Sequence, residues 1–125
     1  MHSPKKTIAR KILGFLFISL STIATSHHVP NSSIALGGEI YRGRCEVCHG
    51  GLGDGKTFAA NALFPPPKNF TSKSTKTELS FKRMIRSITK GRPNTAMMPW
   101  ENILSEQEIL SVVNYIRQKF MSPQK

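Results

Sequence analysis

The chain of 125 residues has only two cysteines, and it has seven acidic residues against 18 basic ones. Because the cysteines are separated by two residues, a disulfide between them would close a tiny loop and add little stability. The chain also lacks an alternating polar and apolar pattern, an internal repeat and a low-complexity tract, so nothing indicates β-strands. A domain of this size buries a thin core and is often stabilised by a metal or cofactor. We therefore expect one small all-α domain with long loops around a cofactor.

No apolar run reaches the usual length of a membrane-spanning helix. Residues 12–24 (ILGFLFISLSTIA) are apolar, but they would rise only about 20 Å against a hydrocarbon core of about 30 Å. This run follows basic residues and precedes small ones, which is the layout of a secretory signal. We expect a signal peptide at residues 1–26, a flexible segment at 27–35 and a folded domain at 36–125. Cleavage would leave a periplasmic protein, whereas an uncleaved signal would tether the domain to the membrane.

The shortage of acidic residues is a property of the mature domain. Residues 1–26 contain four of the 18 basic residues and none of the seven acidic ones, so their removal leaves a net charge near +7. Such a charge suits nucleic acid, an anionic membrane or an acidic protein. The basic residues form no cluster interleaved with aromatic residues, which disfavours nucleic acid. We expect acidic proteins as partners of an exported domain, with simple solubility as the alternative role of the charge.

Three segments have the apolar spacing or the caps of helices. The first, residues 36–46, leads into the cysteine pair, and the second, residues 78–90, ends at Gly91, which is placed to cap it. The third, residues 106–120, begins with Ser105 and Glu108 at the spacing of a capping box. Residues 50–76 are rich in Gly, Pro, Ser and Thr and are predicted to be mostly loop. The apolar stripes are Phe81, Met84, Ile85 and Ile88 in the second helix, and Ile109, Val112, Val113, Ile116 and Phe120 in the third.

Two motifs adjoin each other between residues 45 and 57. Cys45, Cys48 and His49 form CxxCH, in which two thiols one helical turn apart can bond to haem and the imidazole can reach its iron. The next eight residues, GGLGDGKT, match the phosphate-loop pattern GxxxxGK[ST]. A phosphate loop follows a buried strand and opens a helix, whereas this stretch follows CxxCH, and its Asp54 would repel phosphate. We therefore predict a covalently attached haem and no bound nucleotide.

A CxxC pair also occurs in zinc sites and in thiol redox sites. Zinc needs four ligands, and the remaining histidines, His2, His27 and His28, all lie near the N-terminus. A thioredoxin-like site belongs to a βαβ unit, for which there is no strand pattern. The His that directly follows the pair favours haem. We expect its second ring nitrogen to bond a backbone carbonyl, for which the proline run 65–67 is a plausible source.

A second ligand for the iron is available in TAMMPW, residues 95–100. A thioether favours the reduced iron and raises the reduction potential relative to a second imidazole. Met97 and Met98 lie in a proline-bearing loop between helices, where no helix face needs filling, although methionine is often core filler. His27 or His28 would serve as ligand only if the N-terminal segment were ordered across the haem.

Taken together, these segments resemble class I cytochromes c of the bacterial single-haem type. The resemblance extends through residues 37–56, 63–70, 88–100 and 104–120, in the order of the family. CxxCH is highly specific, and the other segments are weak singly but strong together. The resemblance implies a small all-α fold of three main helices, with long loops wrapped around one haem. It also implies a helix crossing in which Gly37 and Tyr41 pack against Val112 and Tyr115.

The resemblance further implies His49 and a methionine as axial ligands. Its spacing to the aromatic residue assigns Met97, with Met98 as second choice because family members more often have proline there. Trp100 is expected at the haem edge, or else as simple core filling. The implied function is one-electron transfer between exported or membrane-bound partners rather than catalysis. A tethered subunit of a respiratory or dehydrogenase complex is the alternative, and a haem enzyme or gas sensor would require a labile methionine.

Overall fold

The computed structural model describes residues 31–122, so the predicted signal peptide lies outside the described residues. Among the described residues there is no strand, and the predicted all-α class is confirmed. No helix within them combines the length and apolar character needed to cross a membrane. The α-helices are α1 (Asn31–Ile40), α2 (Glu46–His49), α3 (Lys73–Glu78), α4 (Phe81–Lys90) and α5 (Glu106–Ile116). The other helical turns are the π-helical turns Tyr41–Cys45 and Arg117–Met121 and the 3-10 turn Ala59–Ala62.

Helices α1 and α5 cross closely at the centre of the fold. Gly37 lies against the backbone of Ser111, and a Cβ at Gly37 would stand 2.9 Å from the Cβ of Tyr115. Tyr41 is 1% exposed, and its ring centroid lies 5.6 Å from that of Tyr115. Val112 is fully buried in the same core cluster. The predicted packing of Gly37 and Tyr41 on α5 is confirmed, with Ser111 as an additional contact.

The core consists largely of the two predicted apolar stripes. The five predicted positions of the α5 stripe are all buried, including Phe120 in the π-helical turn that extends the helix. In α4, Met84 and Ile88 are buried and Ile85 is half-buried. Phe81 is 39% exposed, because it is the first residue of α4 and lies at the edge of the core. The α4 stripe is therefore shorter than predicted.

Serine caps account for where the later helices begin. The Ser80 hydroxyl accepts a hydrogen bond from the amide of Arg83, so α4 begins at Phe81 and not at residue 78. Ser72 caps α3 in the same way, which places a short helix at the end of a stretch predicted to be mostly loop. The capping box of Ser105 and Glu108 is present, and α5 begins at residue 106 as predicted.

The first helix begins earlier than its glycine-rich sequence indicates. Helix α1 starts at Asn31, five residues before the predicted start at Leu36. Residues 31–35, which were expected to be a flexible segment, are therefore helical. The chain then continues through the π-helical turn Tyr41–Cys45 directly into α2, so α1 and the cysteine pair form one continuous helical stretch.

Replacing Gly37 with alanine is expected to lower the free energy of unfolding by about 1–3 kcal/mol, since the new Cβ would overlap the Ser111 backbone. Gly43→Ala is the matched control, because a Cβ at Gly43 has no neighbour within 4 Å. There, alanine is expected to be neutral or stabilising by up to about 1 kcal/mol. Guanidinium unfolding followed by circular dichroism measures both values, and equal midpoints would contradict the close crossing.

Candidate functional site

The two cysteines and His49 lie on consecutive helical turns that end at Gly50. Cys45 ends the π-helical turn, Cys48 and His49 belong to α2, and all three side chains are half-buried. Both cysteines are free. Burial raises the pKa of the Cys45 thiol to about 11, although the charge of Arg44 opposes this. The sulfur of Cys45 is therefore held as a thiol at neutral pH, and neither cysteine is consumed by a disulfide.

The His49 ring is held by a backbone carbonyl and an aromatic ring. Its Nδ1 lies 3.2 Å from the carbonyl oxygen of Lys68, and the ring stacks on Phe70 with centroids 4.7 Å apart. Burial lowers the pKa of His49, partly offset by the bond to Lys68, so the imidazole is neutral at pH 7. Because a carbonyl only accepts hydrogen bonds, we assign the proton to Nδ1. The Nε2 atom then keeps the free lone pair that a metal ligand requires.

The carbonyl that contacts His49 follows the proline run and does not belong to it, which corrects the predicted source at residues 65–67. The carbonyl of Pro67 instead faces Gly55, where a Cβ would lie 2.8 Å from its oxygen. The next carbonyl, that of Lys68, is the one directed at the imidazole. The predicted source was therefore one residue short of the actual one.

The loop Gly50–Thr57 uses its polar groups for its own folding. The amide of Lys56 donates to Oδ1 of Asp54 at 3.1 Å. Gly53 has φ +69° and lies on the Phe120 ring, where a Cβ would be 2.6 Å from the nearest ring carbon. The loop follows α2, and the described part of the chain contains no strand to precede it. These glycines therefore serve turns and packing, and the setting of a phosphate loop is not found there.

The methionine loop between α4 and α5 is fixed through its backbone. Gly91 ends α4 with φ +67°, as predicted, and a Cβ there would lie 2.7 Å from the carbonyl oxygen of Met97. The amide of Arg92 donates to the same oxygen at 2.8 Å. The Met97 side chain is half-buried against the core, whereas Met98 is 47% exposed. The packing therefore favours Met97 over Met98 as the residue directed inward.

Trp100 ends this loop and contacts the segment in front of the cysteines. Its amide donates to the carbonyl of Ile88 at 3.0 Å, and its half-buried indole packs against the core. The guanidinium of Arg44 lies 5.8 Å from the centroid of the Trp100 ring. Arg44 and Phe70 were not among the predicted site residues. The available signals were the position of Arg44 directly before Cys45, and that of Phe70 at the end of the PPPKNF segment.

The same core cluster contacts the cysteine-bearing segment and the methionine loop. Cys45 and Met97 pack against the same core cluster, and this cluster includes Phe70, which stacks on His49. Two thiols and an imidazole with a free nitrogen are the groups through which a haem c is attached and ligated on one side, and a thioether is a known second axial ligand. By contrast, residues 31–122 contain no group of three or more His, Cys, Asp or Glu side chains that could hold a metal ion. A zinc site at the cysteine pair would therefore lack further ligands within this range.

Comparisons with known proteins point to c-type cytochromes. A family model described as "Cytochrome C oxidase, cbb3-type, subunit III" matches residues 32–116, whereas no curated protein matches the chain. The solved structure of the KustC0563 c-type cytochrome is 27% identical, with a TM-score of 0.55, over 66% of this chain and 94% of its own. A chain of the Kuenenia stuttgartiensis reducing HAO-like protein complex Kustc0457/Kustc0458 is 26% identical, with a TM-score of 0.54, over 73% of this chain and 42% of its own.

A likeness in fold alone extends to cytochrome CL from the marine methylotrophic bacterium Methylophaga aminisulfidivorans MPT. That structure is 22% identical, with a TM-score of 0.55, over 72% of this chain and 55% of its own.

The matched family segment runs from α1 to the end of α5 and contains both cysteines, His49 and the methionine loop. The family implies covalently bound haem c as the cofactor. The chain therefore belongs to the c-type cytochromes described by this family model.

Proposed function

We propose that the chain is an electron carrier with one haem c, bonded through Cys45 and Cys48 and ligated by Nε2 of His49. The observation that carries this proposal is the His49 ring, which is neutral, directed by the Lys68 carbonyl and adjacent to a free cysteine pair. When bound, a haem supplies a one-electron Fe(III)/Fe(II) couple. The chain has only two cysteines, which supports a single attachment site.

Met97 is the proposed second axial ligand, with Met98 as the alternative. The Met97 backbone is fixed by the Arg92 amide and by the close approach to Gly91, and its side chain packs inward. Trp100, which packs against the same core cluster, is the proposed residue at the haem edge. Two protein ligands leave no open position for a substrate, which supports electron transfer rather than catalysis.

Met97→Ala is expected to abolish the weak far-red absorption band of iron–methionine bonding in the oxidised holoprotein, and to open the reduced protein to carbon monoxide. Met98→Ala is the matched control and is expected to leave the band intact, because its side chain lies on the surface. Absorption spectra of both variants and the unmodified holoprotein make the comparison. Loss of the band in Met98→Ala alone would transfer the ligand role to Met98. Carbon monoxide binding by the unmodified protein would favour an open-site enzyme or gas sensor.

Acidic redox proteins are the proposed partners, because the mature domain has a net charge near +7. The basic residues in or beside the loops that are expected to surround the haem are Lys56, Lys68, Lys73, Lys76, Lys90 and Arg92. Lys68 contacts Glu78 at 3.8 Å and Lys90 contacts Glu101 at 2.6 Å, so the charges of these two are partly compensated. We therefore assign the larger steering contribution to the other four, Lys56, Lys73, Lys76 and Arg92.

The rate constant of electron transfer with an acidic blue-copper protein is expected to fall as salt is added, since screening weakens the attraction. At low ionic strength, Lys73→Gln and Lys76→Gln are each expected to lower it by about two- to fivefold. Lys82→Gln removes an equal charge from the exposed side of α4 and is expected to change the rate constant less. Stopped-flow kinetics measures all three variants. Salt-independent rates, or equal effects at all three positions, would contradict steering by Lys73 and Lys76.

Export to the periplasm is proposed on the layout of residues 1–26, with a soluble carrier as the product of cleavage. A tethered subunit of a larger complex is the alternative, favoured by the 26% identity to a chain of the reducing HAO-like protein complex. In either case the electron-transfer site is the same.

Mass spectrometry of the protein recovered from the periplasm and from membranes is expected to show loss of about the first 26 residues, because the apolar run is short for a membrane span. Cleavage is expected after Ala24 or Ser26, and a variant with large side chains at both positions serves as the control and should retain the full mass. Full-length protein found only in the membrane fraction would contradict a soluble carrier and support the tethered subunit.

A further inference from the structure

Arg44 connects the two segments that carry the proposed haem ligands. It directly precedes Cys45 in the π-helical turn, and its guanidinium lies 5.8 Å from the centroid of the Trp100 ring. Trp100 follows Met97 by three residues. Because the face of an indole ring carries negative charge density, it attracts a cation placed over it. The Arg44–Trp100 contact therefore extends from the cysteine-bearing turn to the methionine loop.

The aromatic side of this contact has a fixed backbone. The amide of Trp100 donates to the carbonyl of Ile88 in α4 at 3.0 Å. The carbonyl of Trp100 accepts the amides of Ile103 and Leu104 at 2.9 and 2.8 Å. Trp100 is thus held at the end of the methionine loop by three backbone hydrogen bonds. A contact that fixes the indole ring of Trp100 therefore also restrains the methionine loop.

A carboxylate completes the surroundings of Arg44. Glu108 accepts hydrogen bonds from the amide and hydroxyl of Ser105, both at 2.8 Å. These bonds lower the pKa of Glu108, with a smaller contribution from the charge of Arg44. Arg44 and Glu108 also line one cavity of about 430 Å³ between α1 and the start of α5. The guanidinium therefore has an aromatic face and an ionised carboxylate within its electrostatic reach.

We propose that Arg44 is a positioning residue, which holds the methionine loop to the cysteine-bearing turn through Trp100 and so keeps Met97 in place as a ligand. This inference rests on the proposed ligand role of Met97. Groups that orient a ligand from outside the metal's own coordination contribute to metal affinity. An external ligand that displaces the methionine must also overcome the Arg44–Trp100 contact. The strength of a surface cation–π pair corresponds to about a two- to fivefold change in the equilibrium between methionine and the external ligand.

The test is displacement of methionine by imidazole in the oxidised holoprotein, followed by the far-red band. Arg44→Ala is expected to raise the apparent imidazole affinity by about two- to fivefold. Arg44→Lys retains a cation and is expected to give an intermediate affinity. Arg42→Ala removes the same charge from an exposed position in the same turn, and its affinity is expected to match that of the unmodified protein.

A double-mutant cycle identifies Trp100 as the partner. The effect of Arg44→Ala is expected to disappear when Trp100 is already replaced by leucine. Equal affinities for Arg44→Ala and Arg42→Ala, or an undiminished Arg44→Ala effect in the Trp100→Leu protein, would overturn the inference and leave the ligand role of Met97 intact. Absence of the far-red band from the unmodified holoprotein would overturn that ligand role first, and with it the inference.

Discussion

The close crossing of α1 and α5 at Gly37 determines the position of the cysteine-bearing turn. Only a residue without a side chain allows the α1 backbone to lie against Ser111, and the crossing buries Tyr41 one turn later. The Tyr41 hydroxyl donates to the carbonyl of Gly50 at 2.7 Å, directly after His49. Burial raises the pKa of Tyr41, so this donor keeps its proton at all physiological pH values. Residues 41–50, which contain both cysteines and His49, are thereby held at both ends by the α1–α5 pair.

A series of packed rings extends from the C-terminal turn to the proposed iron ligand. Tyr41 lies 5.2 Å from Phe120, and Phe120 lies 6.3 Å from Phe70, measured between ring centroids. Phe70 in turn stacks on His49. Since Gly53 also rests on the Phe120 ring, the loop after His49 is set by the same contacts. The orientation of the imidazole thus depends on residues far from it in sequence.

Features governed by neighbours along the chain could be predicted from the sequence. The capping box at Ser105, the end of α4 at Gly91 and the buried stripe of α5 depend on local spacing, and the structure has all three. The carbonyl that orients His49 could not be identified, because its choice depends on how the proline run packs on Gly55. The contact of Arg44 with Trp100 was likewise not predictable, since it joins segments distant in sequence through a tertiary arrangement.

The glycines of the phosphate-loop match after His49 have a backbone role in the fold. Gly50 and Gly55 have φ of +79° and +72°, values that residues with a side chain adopt only at a cost. The chain turns there, with the amide of Gly55 bonded to the carbonyl of His49, and Gly55 lies against the carbonyl of Pro67, directly before Lys68. A nucleotide-binding loop also requires glycine, because its backbone amides must approach the phosphates closely. The two requirements therefore produce the same sequence pattern. Similarity of pattern between unrelated proteins can therefore reflect a shared constraint on dihedral angles, and pattern searches should be weighed by the secondary structure on either side.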